Sequence, residues 1–267
     1  MNSTTKKMKQ TFFKALCLTA LCTMSANLSA QNLKVGIKGG IVIPELSQQE
    51  DNIFANGFES ASSFQPGIYF EYIVSDLFSI QPEFNYAERG GKRNGLQPIP
   101  AADVPEELSA LLPEGVTPYA EFDNFSRPTY VEVPILLKFG WGKEWRFYAN
   151  AGPYVAFLVK AEQLTSGSSA IFIDEAGEQP ITVDTPFGTF DAVADFNKTT
   201  DVKDRLNSID AGIHAGIGLV HKFTPKSELF IDGRFSKGFV PIQADAINGE
   251  TTLGGIVLSF GYAYTIL

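Results

Sequence analysis

The sequence predicts an all-β fold: an eight-stranded antiparallel transmembrane up-and-down β-barrel, with short periplasmic turns on one rim and long extracellular loops on the other. Three observations lead there. Apolar and polar residues alternate with period two in eight separate runs. The connections between these runs are alternately short and long. The chain also opens with a segment laid out for export.

That segment comes first in the chain. Lys6, Lys7, Lys9 and Lys14 lead into the apolar run "ALCLTALCTMSA" and then "NLSAQ", the basic, apolar and small-residue parts of a secretory signal peptide. Residues 1–30 are read as this signal, cleaved after Ala30, and 31–267 as one barrel domain. The apolar run is too short to cross a hydrocarbon core, which takes ~20 residues. Both cysteines, Cys17 and Cys22, fall within the signal. The mature chain is therefore expected to hold no disulfide, thiolate metal site or cysteine nucleophile. Leu16 and Leu21 precede the cysteines where a lipidation site needs a small residue.

The first run, Leu33 to Ile43, sets Leu33, Val35, Ile37, Ile41 and Ile43 against Lys34, Gly36, Lys38 and Gly40. The second, 63–74, opposes Phe64, Ile68, Phe70 and Tyr72 to Gln65, Gly67, Tyr69 and Glu71. The third, 77–89, puts Phe78, Ile80, Phe84 and Tyr86 opposite Ser79, Gln81, Glu83 and Asn85. The fourth, "TYVEVPILLKFG" (129–140), carries Glu132 and Lys138 across from Val131, Val133, Ile135, Leu137 and Phe139. In the fifth, 145–161, Trp145, Phe147, Val155 and Phe157 face away from Arg146, Asn150, Tyr154 and Lys160. The sixth, 208–220, places Asp210 and His214 on its polar face, and the seventh, 228–237, does the same with Asp232 and Arg234. The eighth, 252–267, shows Ile256, Leu258, Phe260, Tyr262, Tyr264 and Ile266 on one side.

Short turns lie near 75, 142 and 225; the long connections cover about 44–62, 90–126, 162–206 and 238–251. That asymmetry is the pattern of membrane barrels, whose strands need ~9–11 residues to cross. A soluble barrel also alternates. The aromatics near the short turns, Trp145, Phe78, Tyr72, Phe139 and Phe223, favour a membrane girdle. Pro66, Pro82, Pro134 and Pro153 fall inside neighbouring strands, where the missing N–H predicts a line of weakened pairing and a change of facing beyond each proline.

The segments "VGIKGGIVI", "SIQPEFNYAERG", "YVEVPILLKFG", "YANAGPYVAFLV" and "DGRFSKGF", in that order, resemble the PorT-like outer-membrane β-barrel proteins common in Bacteroidetes. The resemblance implies an eight-stranded barrel with both termini in the periplasm. It implies little about activity, since only a few members are similar to secretion-associated components. Such barrels usually end on an aromatic residue; here the nearest are Tyr262 and Tyr264.

With the polar faces turned inward, Lys34, Lys38, Lys138, Arg146, Lys160 and Arg234 share the lumen with Glu71, Glu83, Glu132, Asp210 and Asp232, and with His214. An eight-stranded barrel is just wide enough to be filled by side chains, and buried charges must pair. A salt-bridged plug is therefore expected, without catalytic residues, cofactor or metal. Two histidines and no mature cysteine leave no zinc spacing, and the serines of 166–169 have no histidine nearby in sequence.

Without the signal, 17 basic residues face 30 acidic ones, a net charge of −13. That argues against nucleic acid as a partner. The four long loops hold 21 acidic and 5 basic residues, so the charge sits outside the membrane. Within 90–126, a short helix is expected around Glu106 to Leu112. The reading that follows is a monomer in outer-membrane lipid, non-enzymatic, acting through its acidic loops on a surface or secretion partner protein. The alternatives are an accessory component of secretion or envelope assembly, a lipid-modifying enzyme, and a small-solute pore.

Overall fold

A computed structural model describes residues 33–47, 53, 57–100, 103–245 and 251–266. The signal segment 1–30 lies outside these residues. Eight long strands form an antiparallel ring: β1 (Leu33–Ser47), β2 (Ser63–Ile73), β3 (Phe78–Glu88), β4 (Asp123–Gly142), β5 (Trp145–Ser166), β6 (Ile209–Lys222), β7 (Ser227–Pro241) and β8 (Thr252–Ile266). Each pairs with its chain neighbour, and β1 pairs with β8 to close the barrel without a free edge. No helix among the described residues is long and apolar enough to cross a membrane; the crossing is made by strands.

The wall is inside-out relative to a soluble protein. Ile37, Phe64, Ile135, Phe147, Ile217, Ile231 and Phe260 point outward and are exposed, while Lys38, Gln65, Lys138, Asp232 and Ser259 are buried in the lumen. Period-two alternation gives this directly, because successive side chains of a strand point to opposite faces. At the short-turn rim, Phe139, Trp141, Trp145 and Phe223 stand outward as a girdle, with the Trp145 ring stacked on His221 at 4.2 Å. Inside, glycines admit aromatic rings: a Cβ on Gly36 would collide with the Tyr69 ring, and one on Gly218 with the Tyr148 ring.

The four prolines act differently from the sequence expectation in two respects. The β2–β3 ladder skips the pairs at Gln81 and Pro82, the β3–β4 ladder those at Pro134 and Val133, and the β4–β5 ladder those at Pro153 and Gly152. Pro66 sits in an unbroken ladder opposite Gly39. Register is the same on both sides of every gap, so no facing changes there. A proline removes one N–H while its φ stays near the extended range, so the pleat carries on through it.

The facing change occurs instead at Val159. Thr129 pairs with Lys160 and Tyr130 with Leu158, leaving Val159 as an extra residue, a β-bulge. Beyond it β5 is turned by one residue: Ala161 is buried and Lys160 exposed.

The long connections 90–126 and 162–206 fold over the extracellular end. β4 and β5 run for 20 and 22 residues. At ~3.3 Å per residue and a strand tilt of ~40°, that is roughly twice the ~25 Å height of the membrane band. Beyond the band, short strands Leu96–Pro98, Tyr119–Glu121, Ser168–Phe172 and Val193–Asp195 make a second sheet, and Thr182–Thr185 pairs with Gly188–Asp191 in a hairpin. The expected helix is one turn, Glu106–Ser109, and Leu108 and Leu112 pack on the cap's core. That core is conventional: Ile99, Ala120, Phe122, Ile171, Ala194 and Phe196 are buried together, with Phe122 and Phe196 stacked at 4.6 Å. Arg205 donates to Asp103, tying the two connections; this bond raises the Arg205 pKa above its ordinary value.

Candidate functional site

Two regions carry functional groups: the lumen, and the extracellular cap. In the lumen the charges are layered along the barrel axis because each strand contributes one inward residue at each level. At the periplasmic level, Lys34 on β1 reaches Glu228 on β7 at 2.7 Å and Glu71 on β2 at 3.8 Å. Lys138 on β4 reaches Glu71 at 3.2 Å and lies 4.1 Å above the Tyr148 ring. Ser79 donates a further hydrogen bond to Glu71 at 2.7 Å.

The middle level is built around Glu83, which is 0% exposed. It accepts from Lys38 at 2.6 Å, Arg234 at 2.8 Å, Gln81 at 2.6 Å and Asn85 at 3.1 Å. Arg234 also pairs with Asp232 on its own strand. Asp232 in turn accepts from Tyr148 at 2.7 Å and Asn150 at 3.0 Å. Two cations and two neutral donors on one carboxylate satisfy its oxygens, as a charge taken from water requires.

At the extracellular level, Glu132 pairs with Arg89 and lies 3.0 Å from His214 Nε2. Tyr154 donates to Asp210 at 2.9 Å, with the Arg89 guanidinium 5.4 Å from its ring centre. Above this level the lumen turns apolar. Tyr130, Leu158 and Leu253 are buried with Val202, and Leu46, Leu206 and Ile242 pack against them. Val202 and Leu206 come from the end of one long connection and Ile242 from the start of another, so the loops close the mouth.

Of the twelve charged or titratable lumen positions expected from sequence, ten are buried in these layers: Lys34, Lys38, Glu71, Glu83, Glu132, Lys138, Asp210, His214, Asp232 and Arg234. Two are placed elsewhere. Lys160 is on the outer surface, paired with Glu162 at 2.8 Å, because the Val159 bulge turns it out. Arg146 has the inward parity but sits beside the β4–β5 turn. It donates to the carbonyls of Asp76 at 2.7 Å and Gly140 at 3.3 Å, and to no carboxylate among the described residues.

Arg89 and Glu228 were missed by the sequence reading. Both share parity with residues it did assign, Glu83 and Asn85 for the first, Asp232 and Arg234 for the second. Carrying the alternation to the ends of those strands would have found them.

Among the described residues no group of three or more His, Cys, Asp or Glu side chains is placed to hold a metal ion. Of the serines of 166–169, Ser169 does structural work: its Oγ donates to the Ala170 carbonyl and accepts from the Glu121 N–H.

A groove of about 500 Å³ beside the cap is lined by Lys92, Lys198, Asn94, Asp123, Asn197, Phe125 and Leu164 among others. Phe187, at the tip of the 182–191 hairpin, is 92% exposed.

The model of one protein family, described as the outer membrane protein beta-barrel domain, matches residues 29–243. No curated protein matches. Among solved structures, the chain is similar to Neisserial surface protein A, with 12% identity over 87% of this chain and 97% of that one, at a TM-score of 0.38. OprG from Pseudomonas aeruginosa shares 10% identity over 88% and 96% at 0.38. A major outer membrane protein from Thermus thermophilus shares 12% over 87% and 98% at 0.38.

Proposed function

Because the chain belongs to the outer membrane protein β-barrel domain family, we propose that it is a non-enzymatic scaffold of the outer membrane, a closed barrel holding an extracellular cap that meets a partner. The observation that supports this most is the filling of the lumen. Five cations, Lys34, Lys38, Arg89, Lys138 and Arg234, are interleaved with the carboxylates of Glu71, Glu83, Glu132, Asp210, Glu228 and Asp232, and an apolar layer stops the outer mouth. An ion entering would have to break buried charge pairs and pass the apolar layer at the outer mouth. Purified protein in a planar bilayer is expected to show no steady conductance; a stable single-channel current would overturn the closed-barrel reading and make it a small-solute pore.

The cap supports the interaction half of the reading. It has its own core, a strongly acidic surface and an exposed apolar tip at Phe187, which gives it a fixed shape to present. The protein works as a monomer in outer-membrane lipid after removal of residues 1–30, so the mature N-terminus measured by mass spectrometry is expected near Gln31.

Within the family, the motifs in β1, β3, β4, β5 and β7 support a kinship with the PorT-like proteins of Bacteroidetes. That kinship supports accessory service in secretion or envelope assembly as the second reading. A deletion strain with an unchanged exported proteome would remove it. Unchanged lipid A in deletion and overexpression strains would likewise remove a lipid-modifying activity.

A further inference from the structure

We infer that the 182–191 hairpin of the cap is the contact point for a basic protein, whose apolar pocket, rimmed by lysine or arginine, takes the Phe187 ring. This rests on the reading that the cap meets a partner, and it names the chemistry of that partner.

The hairpin is built to hold one ring out. Thr182–Thr185 and Gly188–Asp191 pair only with each other, and the two residues Pro186 and Phe187 join them. Pro186 fixes its own φ and favours an extended Thr185. Thr185 Oγ1 accepts from the Phe187 N–H at 3.2 Å and donates to the Gly188 carbonyl at 2.8 Å, bracing the turn from within. Gly188 has φ +129°, a conformation in which a side chain would be strained. This frame sets Phe187 outward, with its side chain 92% exposed.

A second ring lies beside the first. Phe190 is exposed, and its ring comes within 3.9 Å of the place a Cβ on Gly188 would take. Pairing puts Val183 on the Phe190 face, where Val183 packs against the cap's core. Asp184 and Asp191 share the opposite face, both exposed, and Thr189 donates to Asp184 at 2.7 Å. The hairpin therefore offers two phenyl rings at its end and two carboxylates on one side.

Charge selects the partner. Segments 94–126 and 162–197, which carry the cap strands, hold 13 acidic residues and no lysine, arginine or histidine. Of the 12 acids whose side chains are described, two form ion pairs, Asp103 with Arg205 and Glu162 with Lys160. The five bases of the long loops, Lys92, Arg93, Lys198, Lys203 and Arg205, all fall outside these segments. Phe187 thus stands in a field of one sign. A second copy would bring the same charge against it. An anionic bilayer would do likewise, and the hairpin has no cation to hold a headgroup. A basic protein fits both parts: the ring fills a pocket at the centre of the contact, and opposite charges around it speed encounter and reject wrong partners.

The test uses the full chain in nanodiscs, with folding checked by heat-modifiable gel mobility. Phage-displayed random peptides are depleted on empty nanodiscs, then selected on the protein, and the enriched peptides are synthesised and titrated by calorimetry. They are expected to carry net positive charge with apolar residues, and to bind Phe187→Ala at least about tenfold more weakly than the natural chain. Phe187→Trp is expected to keep binding. Asp184→Asn with Asp191→Asn is expected to weaken it and to flatten its dependence on salt. Absence of enrichment, or enrichment of neutral or acidic peptides, overturns the proposal. Peptides that bind Phe187→Ala as well as the natural chain overturn the hairpin contact and leave the cap as a partner surface. A second arm mixes the Phe187→Trp protein with vesicles of phosphatidylcholine, with and without phosphatidylglycerol, and reads emission as the difference from the natural chain. A blue shift with either vesicle shows insertion into a facing bilayer and overturns the basic-protein reading; an unchanged difference spectrum supports it. Conductance is recorded on the same protein: a current with intact peptide selectivity removes only the closed-barrel reading.

Discussion

The lumen and the cap bury side chains by opposite rules within one chain. In the cap, apolar residues such as Ile171 and Phe122 go inside and acids outside, as in any soluble domain. In the barrel, Glu83, Lys38 and Arg234 go inside and isoleucine and phenylalanine outside. The difference is the solvent at the outer surface: lipid takes the apolar face, and the polar residues must satisfy one another in a space too narrow for bulk water. Specific pairing then does in the lumen what undirected apolar burial does in the cap.

The contrast is tested most severely at Glu83. Glu83→Ala leaves Lys38 and Arg234 without their shared carboxylate and is expected to cost ~3–5 kcal/mol, read as a lowered urea midpoint in detergent. Replacing the whole group, Glu83→Leu with Lys38→Met, Arg234→Met and Asp232→Asn, is expected to recover most of that loss. Recovery by Glu83→Leu alone would show that the cations do not depend on it.

In the cap, Ile171→Ala is expected to cost ~2–5 kcal/mol of local stability. Limited proteolysis should then cut within 90–126 or 162–206 while the barrel keeps its heat-modifiable mobility. The two cores share no residue. Joint unfolding of barrel and cap would contradict their independence.

The smallest effect is expected at Lys160, which an uninterrupted alternation would put in the lumen with Lys138. Lys160→Ala should change stability by no more than ~1 kcal/mol, because its partner Glu162 is met in water. Lys138→Ala should cost several times more, since Glu71 loses a buried partner. Equal effects would mean that the Val159 bulge does not turn Lys160 out.

The wall was legible because a barrel strand must alternate along its whole length, and sequence shows alternation plainly. Ten of the lumen residues followed from parity alone. Lys160 did not, since "FLVKA" offers consecutive apolar residues that fit either facing and contains no mark of an extra residue. The cap was hidden for a different reason. Its strands are three to five residues long and pair across 90–126 and 162–206. Neither segment alone carries enough of a pattern to announce a sheet. The groove is less legible still, because Phe125 and Leu164 meet only through a register that the bulge has already shifted.

The gaps at Pro82, Pro134 and Pro153 fall at nearly one height on three adjacent staves, since Pro82 pairs with Ile135 and Ile135 stands opposite Pro153. A closed hoop with its cross-links thinned at one place bends there first. Squeezed by its bilayer, this barrel should ovalise about the β3–β5 panel while the panel from β6 to β1, whose ladders run without a gap except for a register shift between Lys237 and Pro241 at one end of β7–β8, stays stiffer. Amide exchange should mark that compliance as a band of faster-exchanging hydrogens across three of the eight seams of the wall.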